Sequence, residues 1–491
     1  MLTAIEKKWK DNRFELIKKY EKLEKRKDFI DDNLIWDLIK KNENPEPKRI
    51  REILSKAREL KGLTPEEVAV LVNCKEPELV NELCETASYI KQEIYGKRIV
   101  LFAPLYVSNT CVNNCIYCGY RRSNPAIKRH TLTMDELRDE VKALTSVGHK
   151  RVLAVFGEHP NSDAFYIAQA IETIYETKEG RNEIRRVNIN AAPMTVEEYR
   201  LIREVGIGTY QVFQETYHHE TYKKLHPKDT LKSSFLWRLF ALHRAQEAGI
   251  DDVALGVLFG LYDWRFEVLG LLFHSLDMER EFGVGPHTIS FPRLKPAVNT
   301  PFSTSSPYLV SDEDFKKIIA ILRCAVPYTG LILTAREAPE LRKELIKVGV
   351  SQTDAGTRIA VGGYRQMQKE HIPEKQQFLI DDTRTLDEFI YELLKDSLIP
   401  SFCTACYRCG RTGEHFMGLP KSAVIKFFCT PNAVLTFKEY LLDYASKRTK
   451  ELGEKIITQY INDLFQIRPA LAMRVEEYLE KMEDGERDFY I

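Results

Sequence analysis

The chain has 491 residues, enough for one large catalytic domain with appendages. Lys+Arg and Asp+Glu both total 72, so the formal net charge is zero and nothing at whole-chain level favours nucleic acid or an anionic membrane. No apolar run approaches the roughly 18–20 residues of a membrane span, and the charged opening MLTAIEKKWKDNRFELIKKYEKLEKRKDF lacks a signal-peptide core, so a cytoplasmic protein is expected. Residues 1–97 predict a helical region wrapped on the main domain. Within it, Thr-Pro-Glu-Glu in GLTPEEVAVLVN places proline at the first turn of a helix.

Residues 98–375 alternate short apolar runs with longer amphipathic ones. The strand candidates are RIVLFAPLYV, KRVLAVFGE, RRVNINAA, GTYQVFQE, DDVALGVLFG, HTISFPRL, TGLILTARE and VSQTDAG. Eight strands with helices between them predict an α/β fold, a (βα)8 TIM-type barrel. Chemistry in such barrels sits at the C-terminal strand ends. Glu158, Asn188, Asn190, Gln214, Glu215, Asp263, Arg293 and Arg336 fall there. The plainer alternative is that parallel strands simply end in polar loops.

The first strand runs into SNTCVNNCIYCGY, where Cys111, Cys115 and Cys118 have C-x3-C-x2-C spacing. Three thiolates hold three irons of a cubane cluster and leave the fourth open to a small molecule, as a catalytic zinc keeps an open position. A zinc site or chance clustering is the alternative, but zinc ligands usually come as two separated pairs and no second pair lies nearby. The spacing, the aromatic Tyr117 before the last cysteine and the preceding strand together resemble the radical S-adenosylmethionine (SAM) superfamily.

A polar stretch at about 364–388 marks the exit from the barrel, and residues 376–491 predict a mostly helical domain. The chain has ten cysteines, and in a reducing compartment they read as ligands or buried thiols. Cys74, Cys84 and Cys324 lie in apolar helical contexts and are expected in the core. Cys403 and Cys406 form C-x2-C, and Cys429 follows after 22 residues. These three could hold a second cubane with an open iron. Cys409 overlaps as a further C-x2-C, and a structural zinc on all four is the alternative.

These motifs resemble the HydG family of radical SAM tyrosine lyases. The resemblance runs from about residue 60 and rests on APLYVSNTCVNNCIYCGYRRSN, VGIGTYQVFQETYH, LGVLFGLYDWRFE, GVGPHTISFPRLKPA and CTACYRCGRTGEHFM. The related ThiH family, which makes 2-iminoacetate, shares the barrel motifs and lacks the second cluster and the extension. The resemblance implies a 4Fe-4S cluster on Cys111, Cys115 and Cys118, with SAM's amino and carboxylate groups on the open iron. One electron then splits SAM into methionine and a 5′-deoxyadenosyl radical. That radical attacks L-tyrosine, whose Cα–Cβ bond breaks to give p-cresol and dehydroglycine. It also implies a second 4Fe-4S cluster on Cys403, Cys406 and Cys429, with an extra iron, where carbon monoxide and cyanide form for the H-cluster of FeFe-hydrogenase. The implied partners are an electron donor, hydrogenase maturation proteins and free L-cysteine at the second cluster, with no nucleic acid and no membrane.

The resemblance also assigns individual residues. Tyr117, Gly157, Glu158, Asn188, Glu215, Gly256, Gly260 and Arg293 are placed with the cofactor. Glu158 receives SAM's ammonium, Glu215 a ribose hydroxyl or the amine, and the two glycines give close backbone approach to adenine. Arg336 clamps the tyrosine carboxylate, with Thr334 where the family often has serine. Arg293 is equally readable as a structural ion pair at the rim. For the extra iron, His274 is the assigned ligand. Asp277 stands where the family often has a second histidine, and His287 is also open. Two alternatives remain, a tyrosine lyase that stops at dehydroglycine and an iron–sulfur scaffold or carrier. The second cysteine set favours the full reaction over the first, and the SAM-side residues argue against the second.

Overall fold

The computed structural model describes residues 2–365, 375–410, 413, 418 and 425–491. Parts of the polar stretch at 364–388 and of CTACYRCGRTGEHFM lie outside the described residues.

All eight expected strands form. They are β1 (Arg98–Ser108), β2 (Arg151–Phe156), β3 (Arg186–Asn190), β4 (Tyr210–Gln211), β5 (Val253–Gly256), β6 (Thr288–Ser290), β7 (Gly330–Leu333) and β8 (Gln352–Asp354). Each pairs in parallel with the next, and β8 returns to β1 in register Val100–Gln352 to Phe102–Asp354, closing the barrel. Every residue of β1 is buried, as a strand covered on both faces requires. A short antiparallel hairpin, Lys178–Glu179 with Asn182–Glu183, adds to the expected elements. A ninth strand, β9 (Ile399–Ser401), pairs with the first residues of β1, Arg98 with Ile399 and Val100 with Ser401.

The helices start where local chemistry dictates. At Thr64, Thr133, Thr195 and Thr385 the hydroxyl accepts from the amide three residues on. The glutamate at that position returns a bond to the cap backbone. Losing such a cap costs about 0.5–2 kcal/mol. Among the described residues, five helices precede β1. The first, Ala4–Leu23, is pinned to the barrel by Arg13, which pairs with Glu198 at 2.7 Å. Its Ile17 packs in one cluster with Val112 of the cysteine loop, Leu231 and Trp237. The amino-terminal arm therefore buttresses that loop from outside, and emptying the Ile17 position would cost about 2–5 kcal/mol.

After β8 the chain forms the helix Leu386–Lys395, then β9, then the helices Lys426–Asp443, Lys447–Ile467 and Pro469–Glu483. Arg185, beside the start of β3, grips Glu439 of this region with two bonds of 2.9 and 2.8 Å. Among the described residues no helix is long and apolar enough to cross a membrane.

Candidate active site

The two cysteine sets open into cavities at opposite ends of the barrel. The upper cavity, about 230 Å³, is lined by the C-terminal strand ends, including Ser108, Glu158, Asn190, Thr334 and Asp354. Cys111, Cys115 and Cys118 all face it. The lower cavity, about 50 Å³, is lined by residues at strand starts, among them Arg98, Arg151, Arg186, His287 and Gln352. Cys403, Cys406 and Cys429 face that one. At about 3.3 Å per residue, β1 carries the chain roughly 30 Å between these ends.

In the upper cavity, burial pushes the Cys115 thiol up to about 12 and raises Cys111, which Glu158 raises further. Thiols so placed ionise only beside a strong positive centre. Three soft donors around one cavity are the donor set a cubane with one open iron needs. Gly157 is required for the approach, because a Cβ there would lie 2.1 Å from the Thr110 carbonyl oxygen of the cysteine loop. Beside it, Glu158 accepts from the Asn113 amide, and burial raises its pKa.

Tyr117 packs beside Cys115 and Cys118, and its hydroxyl lies 2.9 Å from His226 Nε2. The other ring nitrogen of His226 sits 2.9 Å from the Tyr222 carbonyl. A carbonyl only accepts, so Nδ1 carries the proton and Nε2 accepts from Tyr117.

Glu215 holds a left-handed backbone, φ 73°, and meets Lys232 at 2.5 Å and Arg238 at 3.4 Å. Burial would raise its pKa, but the two cations outweigh burial and hold it below the usual carboxylate range. Arg336 and Thr334 line the same cavity. Arg336 donates to the Arg293 carbonyl at 3.2 Å and lies 3.3 Å from the centre of the Phe378 ring. Burial lowers its pKa to about 10. Among the described residues no carboxylate lies within ion-pair distance of it, so a planar cation faces the cavity with donors to spare.

Several expected site residues stand elsewhere. Asn188 lies deeper in the barrel, accepting from Arg186 Nε at 3.0 Å and the Thr209 amide at 2.9 Å, and Asn190 lines the cavity instead. A Cβ on Gly256 would lie 2.2 Å from the Phe213 ring, so this glycine seats an aromatic that lines the cavity. Gly260 turns the chain at φ 106° and is not among the lining residues. Arg293 is the structural ion pair, held by Glu337 and by Asp312 at 2.8 Å. Asp263 caps the helix Trp264–Phe282, and Gln214 is buried away from the cavity.

His274 does not line the lower cavity either. It is buried on the helix Trp264–Phe282, with Nδ1 at 2.8 Å from the Tyr217 hydroxyl and its ring stacked on His243. Asp277 binds His243 at 2.9 Å. Neither reaches the lower cavity, whereas His287 does. Burial drops the His287 pKa to about 4, so its imidazole is neutral at neutral pH, as a metal ligand must be. Burial likewise raises Cys403 to about 11, and Arg151 donates to its carbonyl at 2.5 Å. Cys409 is exposed and outside the cavity, so the described residues do not assemble four thiols for a zinc.

Several cavity residues had no sequence signal of their own. Lys232 and Arg238 come from the segment after β4, Tyr106 from near the C-terminal end of β1, and Gln377 from the polar stretch that follows the barrel. A cation in a segment far along the chain from any motif carries no spacing signature.

The comparisons with known proteins agree with this geometry. Residues 105–269 match the Radical SAM superfamily, and residues 290–399 match the Biotin and Thiamin Synthesis associated domain. A solved structure described as HydG, a maturase of the [FeFe]-hydrogenase, is 50% identical and covers 95% of this chain and 100% of its own, with a TM-score of 0.91. The FeFe-hydrogenase maturase HydG from Carboxydothermus hydrogenoformans is 41% identical over 91% of this chain and 97% of its own, with a TM-score of 0.79. The 2-iminoacetate synthase of Salmonella typhimurium is 29% identical over 69% of this chain and 86% of its own. The superfamily implies a 4Fe-4S cluster and SAM, and the upper cysteines fit both. With half of its residues shared across the full length of a HydG maturase, and with the barrel and cysteine-lined cavity of a radical SAM enzyme, this chain belongs to the HydG family.

Proposed function

We propose that this enzyme cleaves the Cα–Cβ bond of L-tyrosine to p-cresol and dehydroglycine, and that the small fragment then yields carbon monoxide and cyanide on iron at the lower site. The observation that carries this reading is the pair of cysteine-lined cavities at the two ends of one barrel, three thiols facing each. A lyase that stopped at the first cleavage would have no use for the second.

The atoms balance. The hydrogen atom that tyrosine loses to 5′-deoxyadenosine is made good by one electron from the donor and one proton, so that p-cresol and dehydroglycine together account for every atom of tyrosine, and dehydroglycine divides into carbon monoxide, hydrogen cyanide and water without an oxidant. The upper cluster with its SAM supplies, when bound, the one-electron cleavage that generates the 5′-deoxyadenosyl radical. The chain's own residues bind and orient. Cys111, Cys115 and Cys118 would hold three irons of the cluster. Glu158 takes SAM's ammonium, and Glu215, ionised at neutral pH, accepts from a ribose hydroxyl or the amine. Arg336 forks the tyrosine carboxylate, with the Thr334 hydroxyl beside it. The enclosing wall fixes the reacting atoms and keeps water from the radical.

At the lower end Cys403, Cys406 and Cys429 would hold the second cluster, and His287, neutral at neutral pH, would be the protein ligand of the extra iron, with free L-cysteine beside it. The product serves assembly of the FeFe-hydrogenase H-cluster, with an electron donor and other maturation proteins as partners.

The test is an anaerobic assay of reconstituted protein with SAM, tyrosine and a strong reductant. It quantifies p-cresol, cyanide and carbon monoxide in the wild type and in Cys403→Ala/Cys406→Ala. All three products in the wild type, with carbon monoxide lost and p-cresol kept in the double variant, are expected. p-Cresol alone in both would mean a lyase that stops at dehydroglycine, as its 2-iminoacetate synthase relatives do by name.

A further inference from the structure

Residues 375–382 cross the mouth of the upper cavity as a strap. Leu379 N donates to the Pro296 carbonyl at 2.8 Å, and Asp381 and Asp382 donate from their backbone amides to the Ala335 carbonyl at 3.1 Å. Lys295 meets Asp381 at 2.8 Å. The cysteine loop is shaped to receive this strap. A Cβ on Gly119, directly after Cys118, would lie 2.3 Å from the Gln377 carbonyl oxygen. Tyr120 donates to the Ile359 carbonyl at 3.1 Å and reaches the Lys375 carbonyl at 3.3 Å.

The Gln377 side chain then turns inward. Its Nε2 donates to Cys118 Sγ at 3.5 Å. Its Oε1 accepts from the Tyr106 hydroxyl at 3.2 Å. A hydroxyl bound to that oxygen sets which way the amide faces and leaves the NH2 toward the sulfur. The next residue, Phe378, lies under the Arg336 guanidinium, which fixes the strap at a second point.

We propose that Gln377 is a positioning residue for the SAM-binding cluster. Its N–H···S bond to the Cys118 thiolate stabilises the more negative, reduced cluster and so raises the reduction potential. Hydrogen bonds to the sulfurs and solvent exposure are among the terms that set such potentials. The bond is half-buried at the cavity wall, where a local dielectric below that of water strengthens it. The inference needs the SAM-binding cluster and does not depend on which substrate the radical meets.

The test is a redox titration of the fully reconstituted enzyme, read by EPR on the cluster whose signal changes when SAM is added. Iron content and signal intensity first establish that each variant is loaded. Gln377→Leu should give a two- to tenfold lower reduced-to-oxidised ratio at a fixed potential, a negative shift of about 18–59 mV. Gln377→Glu, of the same size, should shift it further by setting a charge beside the sulfur. Tyr106→Phe, which frees the amide to turn, should give a smaller shift of the same sign. An unchanged or raised potential in the loaded Leu and Glu variants overturns the proposal. So does a raised KM for tyrosine with no change in potential, which would make Gln377 part of the substrate pocket.

Discussion

The two ends of the barrel solve one problem, holding three thiols toward a cavity, by different means. At the upper end the cysteines come from one loop of eight residues, Cys111 to Cys118, and the fold's task is to press that loop against the strand ends. Gly157 and the packing of Val112 against Ile17 do this. At the lower end the cysteines come from β9's continuation and a helix 20 residues further on, and the fold must bring distant segments together. The linings differ as well. The upper cavity mixes Glu158, Glu215 and Asp354 with Lys232, Arg238 and Arg336, whereas the lower one carries three arginines and a neutral histidine. A local motif therefore tolerates a chemically mixed wall suited to a zwitterionic molecule. The assembled site is lined by arginines, of which Arg186 is paired with the buried Asp252 at 2.9 Å.

The sharpest way to break this comparison is to remove one thiol from each end. Cys115→Ala should abolish SAM cleavage and p-cresol formation altogether. Cys429→Ala should leave p-cresol within about threefold of wild type while carbon monoxide disappears, an expectation that follows if the two ends act in sequence. Equal loss of p-cresol in both variants would mean that the ends are not separate sites.

Next in size is Arg336→Lys. The ammonium cannot fork a carboxylate, and losing one charged hydrogen bond costs about 1.5–3 kcal/mol, so KM for tyrosine should rise about 10–100-fold. Tyrosine-independent SAM cleavage should not change. If it falls in parallel, Arg336 belongs to SAM. At the other end, His287→Ala should cut carbon monoxide formation by about tenfold or more and leave p-cresol within about twofold. The same substitution at His274 should lower stability without separating the two products.

The smallest expected effect is a pH dependence confined to the upper wall. Burial, partly opposed by Arg342, raises the Asp354 pKa from 3.8 to about 6. Between those values the folded chain holds a proton that the unfolded chain has released. Stability therefore falls as pH rises through this window and stays lower above it. The shift corresponds to at most about 3 kcal/mol. Asp354→Asn should remove this component, so melting temperatures of wild type and variant should diverge between pH 4 and pH 7. Parallel curves would show that Asp354 titrates normally.

Much of this molecule was legible in its sequence. The eight strands were visible as short apolar runs, and both cysteine sets proved to share a cavity each. What periodicity could not supply was depth. Asn188 and Asn190 lie two apart on one strand and share a face, yet only the second reaches the cavity, because a barrel interior is filled in layers. Arg293 follows the end of β6 by three residues, but Glu337 and Asp312 capture it, and no local pattern announces a partner 44 residues away. His274 and His287 are both single histidines in apolar settings. Only the closed barrel decides that one lies on an outer helix and the other at a strand start facing the lower opening. The polar stretch after β8 read as an exit, and its residues 375–382 instead roof the upper cavity, because backbone bonds to Pro296 and Ala335 turn it back over the mouth.

The pairing of β9 with the first residues of β1 has a practical consequence for anyone trimming this protein. The carboxy-terminal region is woven into the same strand that delivers the upper cysteines, so it cannot be cut away as a detachable module. A truncation before Ile399 would strip β1 of its pairing with Ile399–Ser401, including the bond from the Ile399 amide to the Lys97 carbonyl, and leave three arginines facing an uncovered opening. Such a fragment is expected to precipitate or open from its lower end, rather than survive as a minimal lyase.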